Sequence, residues 1–253
     1  MKGLRRHPLR VIGRLLWFLG VVLAALSDYL LRCAFRPENS TPAARALWLQ
    51  RHSRRALRIF QLVPRVAGPV PSRGLLVSNH LSYLDILVIS SITPAVFVAK
   101  REVKFWPVVG WLASLAGTVF VNRERRTQVG AVNDEIQAAL NSSALVVLFP
   151  EGTSSNGQDV LPFKSALLEP AARQTQPVAV SCIQYALDDG NAGEDVCYWG
   201  DHTFLPHLLN LLGKRAIRVA VRFASFAPAG ADRKEMARQL RGEILKLKGD
   251  CIP

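Results

Sequence analysis

A histidine and an aspartate stand five residues apart, directly after a short apolar run. They are His80 and Asp85, and the run at residues 74–79 is typical of a buried strand. Apolar residues 86–89 follow, so the pattern predicts a helix that starts near Ser82. Residues five apart on one regular helix lie about 140° apart, so His80 must sit in the preceding turn to meet Asp85. A neutral imidazole held by a carboxylate is a general base for chemistry near physiological pH.

The same spacing has a purely structural explanation. Ser82 and Asp85 also fit a capping box, in which a serine at the helix start and an acidic residue three positions later satisfy free backbone N–H groups. A carboxylate near the positive end of the helix dipole is favourable without any catalysis. From this segment alone both interpretations stay open.

A constrained turn follows a second apolar run, at residues 145–148. Pro150 and Gly152 favour a tight turn that holds Glu151 in place. Glu151 is a candidate to accept hydrogen bonds from a hydroxylated substrate, and the backbone N–H groups of residues 152–154 are a candidate anion-binding nest. The alternative is an ordinary turn with a solvated glutamate.

Arg123 follows a third apolar run, at residues 117–121. An arginine at a strand end, where α/β sheets bind ligands, suits two-point contact with a phosphate or carboxylate. The alternative is a surface arginine within the charged cluster at residues 123–126, where ion pairs contribute little.

Short β-rich runs alternate with helical patterns through the body of the chain. This order predicts an α/β fold with a mixed, largely parallel sheet flanked by helices. The predicted strands are residues 75–78, 95–99, 118–121, 144–149, 178–183 and 217–223, and the predicted helices are residues 84–92, 128–140, 163–173 and 234–246. A Pro- and Gly-rich stretch at 63–71 is interpreted as the join to an N-terminal module, and residues 187–216 as an excursion of uncertain structure.

Positive charge is concentrated before that join. Residues 1–73 hold 14 Lys and Arg against two acidic residues, a net of +12, whereas the other 180 residues hold 18 against 17, a net of +1. Residues 15–27 carry no charge, and the only charged residues in the wider run at 11–31 are Arg14 and Asp28. Basic flanks beside an apolar helix favour an anionic membrane surface on the cytoplasmic side over nucleic acid. A cleaved secretory signal is the competing interpretation.

A second helical pattern follows Pro42, with apolar residues and arginines on largely opposite faces. This pattern is typical of a helix in a membrane interface, although a solvated arginine face has the same appearance. The apolar face comprises Leu49, Ser53, Ala56, Leu57 and Phe60. We interpret residues 1–62 as a helical hairpin that anchors an α/β domain at 63–253 in the cytoplasmic leaflet. Residues 105–111 are either core or a second membrane contact.

The four cysteines are widely separated and contain no CxxC pair, so no zinc ribbon or redox motif is indicated and no metal site is predicted. Their spacing indicates no disulfide framework, which suits a reducing compartment.

Together, three motifs resemble the lysophospholipid acyltransferase family, whose best-known members are the 1-acylglycerol-3-phosphate acyltransferases. The family's first motif, H-x-x-x-x-D, is matched by His80 and Asp85. Its second, G-x-x-F-x-x-R, is matched by Gly117, Phe120 and Arg123, and its third, F-P-E-G-T-R-S, by residues 149–153 and Ser155. The resemblance covers roughly residues 75–183, in the family's order and spacing.

The resemblance implies acyl transfer from a thioester, acyl-carrier protein or acyl-CoA, to the free hydroxyl of a lysolipid, first of all 1-acylglycerol-3-phosphate. His80 would be the base and Asp85 would orient it. The residues expected to bind substrate are Arg123, Glu151, Gly152, Thr153 and Lys100. No cofactor beyond the thioester co-substrate is expected. Because the acceptor is a membrane lipid, the expected location is the inner (cytoplasmic) membrane, with the active site on the cytoplasmic side.

Ser154 departs from the third motif, where an arginine associated with the acceptor phosphate is frequent. A hydrogen bond to a charged group contributes about 1.5–3 kcal/mol, so its loss weakens the case for a phosphate headgroup. Residues 153–155 also resemble relatives that acylate lyso-ornithine lipids, which supplies the alternative acceptor. A non-catalytic lipid-binding protein and a thioester hydrolase are the remaining alternatives.

Overall fold

A computed structural model of the 253-residue chain describes residues 7–34, 40–121, 136–141, 144–168, 178–227 and 232–249. Within these ranges, seven strands form one sheet in the order β1-β7-β6-β2-β5-β3-β4. The strands are β1 Pro64–Ala67, β2 Gly74–Ser78, β3 Ala95–Lys100, β4 Val119–Val121, β5 Leu145–Leu148, β6 Val178–Ala186 and β7 Arg218–Phe226. Neighbouring strands are parallel except for β6 and β7. The predicted fold class and all six predicted strands are confirmed.

The central strands are mostly apolar because the sheet is buried on both faces. In β2, Leu76 packs into one core layer, while Leu75 and Val77 pack into the other. The first layer is covered by helices from the N-terminal third of the chain and from the excursion. The second is covered by the C-terminal helix and by helical residues 136–141.

The helices are α1 Pro8–Tyr29, α2 Pro42–Ile59, α3 Leu84–Ile92, α4 Val109–Leu115, α5 Ala192–Asp195, α6 Phe204–Gly213 and α7 Arg233–Gly249. A π-helical turn, Leu30–Ala34, continues α1, and 3₁₀ turns occupy Arg101–Phe105 and Ser165–Leu168.

Two of the predicted helices are confirmed, at 84–92 and 234–246. Of the helix predicted at 128–140, residues 136–140 are helical and the rest lie outside the described residues. The helix predicted at 163–173 is wrong at its start, because residues 163–164 are not helical and Ser165–Leu168 is a 3₁₀ turn. Residues 169–173 lie outside the described residues.

β1 was missed, because it lies inside the stretch interpreted as a join. It is an exposed edge strand that begins with Pro64 and pairs with β7, and proline is tolerated at that position of an edge. Gly68 ends the strand with φ +83°, where a Cβ would lie 2.0 Å from the Phe223 carbonyl oxygen. The chain therefore requires glycine there.

The interpretation of α2 as a membrane-facing helix is corrected by its packing. Leu57, Ile59 and Phe60 belong to the core layer under the sheet, and Trp48 is buried against α1. Its exposed arginines form the solvated face that was the alternative interpretation. The apolar face of α2 is thus covered by protein and is not available to lipid.

Only one side of α1 packs against the protein, on the core layer that contains Leu76. Val11 and Ala25, near its two ends, are buried, while a stripe of leucines and other apolar residues along the opposite side is exposed. That exposed stripe comprises Leu9, Ile12, Leu16, Leu19, Leu23 and Leu30.

The side chains of Arg10 and Arg14 fix the start of α1 to the end of α6. Arg10 donates to the carbonyl of Gly213 at 3.0 Å, and Arg14 donates to those of Leu212 at 3.2 Å and Arg215 at 2.9 Å. Guanidinium groups are favourable beside the unpaired carbonyls and negative dipole end of a helix C-terminus. α1 is therefore held along the body of the protein.

Candidate active site

The residues of the first and third motifs meet at one edge of the sheet. β2 leads into His80 and its neighbour β5 leads into Glu151, and because these strands are parallel both turns emerge at the same edge. β6 flanks β2 on the other side and runs in the same direction. The site is thus built on the ends of three adjacent strands.

His80 and Asp85 form a hydrogen-bonded pair, as predicted. The His80 Nδ1 atom lies 2.8 Å from Asp85 Oδ2, with His80 in the turn and Asp85 in the first turn of α3. A carboxylate can only accept, so Nδ1 carries the proton and Nε2 is left with a free lone pair. Nε2 has no hydrogen-bond partner among the described residues. The imidazole is 21% exposed, whereas Asp85 is fully buried.

The ring of His80 is also held by Phe149, the residue before the Pro150–Gly152 turn. Their ring centroids are 4.2 Å apart and the planes are 18° from parallel. Stacking and the hydrogen bond to Asp85 together fix the direction in which Nε2 is presented, as a general base requires.

The capping role predicted for Ser82 is wrong, although half of the capping geometry is present. Asp85 Oδ2 accepts from the backbone N–H groups of Leu81 at 2.7 Å and Ser82 at 3.0 Å. The Ser82 hydroxyl is buried without a partner among the described residues, and the N-cap position of α3 is Tyr83. Asp85 therefore both closes the turn and orients His80.

Glu151 is positioned as a clamp on the His80 turn. Its Oε1 accepts from the backbone N–H of His80 at 2.8 Å and its Oε2 from that of Leu161 at 2.9 Å. The residue is 2% exposed. Burial raises the pKa of Glu151, and the two N–H groups oppose that shift only in part. The carboxylate thus holds the turn that carries His80, and its contact with the acceptor stays a prediction.

Three other predicted binding residues, Gly152, Thr153 and Lys100, lie at the same edge with different surroundings. The Gly152 N–H donates to the Phe149 carbonyl at 3.1 Å, so it closes the turn and does not contribute to an anion nest as predicted. Thr153 and Lys100 are exposed, the latter at the end of β3. Arg123 lies outside the described residues, two positions after β4 ends.

Ser154 and the excursion are joined over the site. The Ser154 hydroxyl donates to the backbone carbonyl of Tyr198, and the Tyr198 N–H donates to the Leu81 carbonyl at 2.7 Å. The excursion at 187–216, whose structure was uncertain from sequence, thus rests on both catalytic turns. The Tyr198 ring packs edge-on against Tyr83 and Trp106. Position 154, where the sequence departs from the third motif, is thus used for a contact with the backbone.

Tyr185 is a site residue that the sequence analysis missed. Its hydroxyl donates to Asp85 Oδ1 at 2.8 Å from strand β6. The two residues are 100 positions apart, and Tyr185 reads as one more β-forming residue in an apolar strand. Only the adjacency of β6 to β2 reveals the contact.

The arrangement is a neutral histidine base with one exposed nitrogen and a buried, fully bonded carboxylate behind it. It can remove a proton from a hydroxyl and return it to a leaving group. Among the described residues, His, Cys, Asp and Glu form no group of three suited to a metal ion. Phe149 stacks on the imidazole of the dyad, and Tyr185 donates to its carboxylate.

Fold and site define an acyltransferase of the HX4D type, and comparisons with known proteins agree. The sequence model of the acyltransferase family matches residues 63–184. A lyso-ornithine lipid O-acyltransferase of Rhizobium meliloti is 37% identical over 222 residues, covering 81% of this chain and 76% of that protein. The chain therefore belongs to the acyltransferase family, and the resemblance in the sequence is confirmed.

Further relatives carry two different acceptor names. A lyso-ornithine lipid O-acyltransferase of Brucella abortus is 40% identical over 187 residues, covering 68% of this chain and 70% of that protein. A 1-acyl-sn-glycerol-3-phosphate acyltransferase of Neisseria meningitidis is 35% identical over 153 residues, covering 57% and 60%. The crystal structure of the 1-acyl-sn-glycerophosphate acyltransferase of Thermotoga maritima aligns with a TM-score of 0.56 at 20% identity, over 97% of this chain and all of that one, which establishes the likeness of fold.

Proposed function

We propose that this lysolipid O-acyltransferase acts on lyso-ornithine lipid, moving a fatty acyl group from a thioester to the free hydroxyl of the acceptor. The observation that carries the reaction type is the His80–Asp85 pair, in which the imidazole is 21% exposed and its Nδ1 is bonded to the buried carboxylate. The acceptor proposal rests on Ser154 and on the relatives that match over most of the chain.

The chemistry follows from the geometry of the pair. Nε2 of His80 takes the proton of the acceptor hydroxyl as that oxygen attacks the thioester carbonyl. The new C–O bond forms, the C–S bond breaks, and the imidazolium returns the proton to the departing thiolate. Asp85 fixes the tautomer and stabilises the transient imidazolium, as the carboxylate of a catalytic triad does.

The position of Ser154 supports an acceptor without a phosphate headgroup. An arginine there would place a guanidinium at the mouth of the site, whereas the Ser154 hydroxyl is engaged by the Tyr198 carbonyl. This reverses the order given by the sequence analysis, which placed 1-acylglycerol-3-phosphate first. That acceptor stays the second candidate, because Lys100 lies at the same edge and several relatives are named for it.

The donor is proposed to be acyl-carrier protein or acyl-CoA, with no further cofactor. Either thioester supplies the activated carbonyl that the mechanism needs, and its thiol is the leaving group. Donor preference is settled by assay with both.

Membrane association is indicated by the family and by α1, which with its continuation at Pro8–Arg32 is long and apolar enough to cross a bilayer. We propose that α1 lies in the membrane plane instead. Val11 and Ala25 are both buried against the protein, so the helix runs along the body and cannot leave it to span. Its exposed leucine stripe then enters one leaflet, as in an interfacial helix.

A second contact with the same leaflet is proposed at the Arg101–Phe105 turn and α4. Phe105 and Trp111 are 72% and 67% exposed, and Lys104, which precedes Phe105, is exposed as well. Trp106 from the same segment packs on Phe204 of α6. Helix α6 also contacts α1. Aromatic and basic residues together suit the headgroup region of an anionic leaflet. We place that leaflet on the cytoplasmic side of the inner membrane.

One panel of assays tests the acceptor proposal. The purified protein in phospholipid vesicles is offered lyso-ornithine lipid, 1-acylglycerol-3-phosphate and other lysophospholipids, with each thioester donor. The proposal expects the highest kcat/KM with lyso-ornithine lipid. Turnover confined to 1-acylglycerol-3-phosphate would overturn it, and thiol release that does not depend on acceptor would indicate a hydrolase.

A matched pair of variants tests the role of position 154. Ser154→Arg supplies the guanidinium, while Ser154→Ala removes the same hydroxyl and adds no charge. The expected result is a rise of about ten-fold in the preference for 1-acylglycerol-3-phosphate in Ser154→Arg alone, as one charge-assisted contact would provide. Equal preferences in the two variants would contradict the argument.

A further inference from the structure

The buried hydroxyl of Tyr185 supplies a contact that the proposed mechanism does not use. It donates to Asp85 Oδ1 at 2.8 Å, and Tyr185 and Asp85 are 8% and 0% exposed. Tyr185 belongs to β6 and to none of the three motifs that carry the family resemblance. Its partner is the carboxylate that holds the catalytic base.

The hydrogen bonds to Asp85 add up to a complete set. Oδ2 accepts from His80 Nδ1 and from the N–H groups of Leu81 and Ser82, while Oδ1 accepts from Tyr185. An ionised carboxylate offers about four acceptor sites, and all four donors are present. A buried charge requires such compensation, since water does not reach it. On the Oδ1 side, Tyr185 is the one donor among the described residues.

The strand that carries Tyr185 is locked to the end of β2 by a side chain. Asn79 donates through Nδ2 to the Ile183 carbonyl at 3.0 Å, and its Oδ1 accepts from the Ile183 N–H at 2.7 Å. Asn79 immediately precedes His80, and Ile183 lies two residues before Tyr185. The hydroxyl and the imidazole are thus held in fixed relation by a two-point contact between their strands.

We propose that Tyr185 is a positioning residue of the catalytic dyad, whose hydroxyl fixes the Asp85 carboxylate and withdraws part of its charge, so that His80 stays a free base further into the acidic range. The proposal rests on the acyl transfer proposed above. Without the hydroxyl, the full carboxylate charge faces the imidazole and Oδ1 is left without a donor. Both effects make the pair bind a proton more tightly, whichever of its members holds it.

The other titratable groups around the pair do not obscure this change in its proton affinity. Besides His80, those facing Asp85 or Tyr185 are Glu151, Cys197 and Tyr83. Burial, with the Asp85 charge, raises the pKa of Tyr185 well above its ordinary value, and burial raises that of Cys197 to about 12, so both stay protonated. Burial likewise raises the pKa of the Tyr83 hydroxyl. Burial raises the pKa of Glu151, and Glu151 is common to every variant compared.

The test compares Tyr185→Phe with Tyr83→Phe across the pH profile of kcat/KM. Both variants delete one buried tyrosine hydroxyl near the dyad, and that of Tyr83 is bonded to His207 Nδ1 at 3.0 Å instead of to Asp85. Tyr185→Phe is expected to move the midpoint of the acidic limb up by about one pH unit. At each pH on that acidic limb, kcat/KM of the variant is then about ten-fold below that of wild type. On the alkaline plateau kcat/KM is expected to stay nearly unchanged, as is the KM for acceptor. Tyr83→Phe is expected to keep the wild-type midpoint.

A proportional loss of activity at every pH in Tyr185→Phe, with the midpoint in place, would overturn the proposal and leave Tyr185 a packing residue. If that variant does not fold, Tyr185 is replaced by 3-fluorotyrosine, which keeps the shape and strengthens the donor. The midpoint is then expected to move down, and an upward or absent shift contradicts the proposal. Failure of the proposed function is seen separately, as wild-type protein that releases no thiol in response to lysolipid.

Discussion

Glu151 offers a sharp test of how the site is built, because two explanations of the same residue predict different measurements. In the structure its carboxylate holds the His80 and Leu161 backbone N–H groups at 2.8 and 2.9 Å and is 2% exposed. A substrate contact would instead require one oxygen to reach the acceptor. The informative change is Glu151→Gln, which keeps the shape and removes one accepting oxygen.

The amide of Glu151→Gln can satisfy one of the two N–H groups and must turn its NH₂ toward the other. The variant loses one charge-assisted hydrogen bond and leaves a buried donor unpaired, a destabilisation of about 2–3 kcal/mol. For a chain of this size that corresponds to a fall in Tm of about 4–12 °C. The His80 turn loosens with it, so kcat is expected to fall while the KM for acceptor stays nearly constant.

Scanning calorimetry and steady-state kinetics at pH 8 measure both quantities on the same preparation. Thr153→Ala is the matched control, since it alters the adjacent exposed position and leaves the clamp intact. An unchanged Tm together with a raised KM for acceptor in Glu151→Gln would refute the clamp and restore the substrate contact.

Three further outcomes follow from other parts of the structure. Burial lowers the pKa of His207 to about 4. Between about pH 6.5 and 4 the folded protein therefore binds fewer protons at this group than the unfolded chain does. The contribution of His207 to the free energy of unfolding is intact above about pH 6.5 and falls on acidification, by about 2 kcal/mol at pH 5. His207→Asn should therefore show a smaller fall in Tm between pH 7 and pH 5 than wild type, and an equal fall would contradict this. Replacing Leu16 and Leu23 of the exposed α1 stripe by glutamate should release the protein from anionic vesicles in a sedimentation assay, whereas Leu47→Glu on α2, also exposed, should stay bound. Finally, Arg14→Ala should lower the free energy of unfolding by about 2–4 kcal/mol, because it unpairs the carbonyls at the end of α6, and a change below 0.5 kcal/mol would show that this contact does not hold α1.

The sequence predicted the sheet and the catalytic pair because both depend on local patterns. Apolar runs long enough for a buried strand marked six strands, and the strand-to-helix change at residues 80–85 placed His80 in the turn. That the His80 and Glu151 turns meet at one edge follows from the parallel pairing of β2 with β5, which the structure shows.

What the sequence could not supply depends on contacts between distant segments. The partner of Asp85 on β6 is 100 residues away, and the Glu151 carboxylate faces inward only because the His80 and Leu161 N–H groups converge on it. The amphipathic pattern of α2 correctly predicted a helix with one apolar and one arginine-rich face. The pattern alone does not show whether lipid or protein covers the apolar face. Arg14 shows the same limit, since a single charge within an apolar run does not reveal that its side chain donates to carbonyls at the end of α6.

The central claim is that His80 performs acyl transfer to a lysolipid hydroxyl. It is tested most directly by lysolipid-dependent thiol release from acyl-CoA, measured with wild type and His80→Ala in the same vesicles at equal folded fraction. Loss of a general base predicts a decrease of about 10²–10⁴-fold in kcat. Turnover of His80→Ala equal to that of wild type would contradict the account.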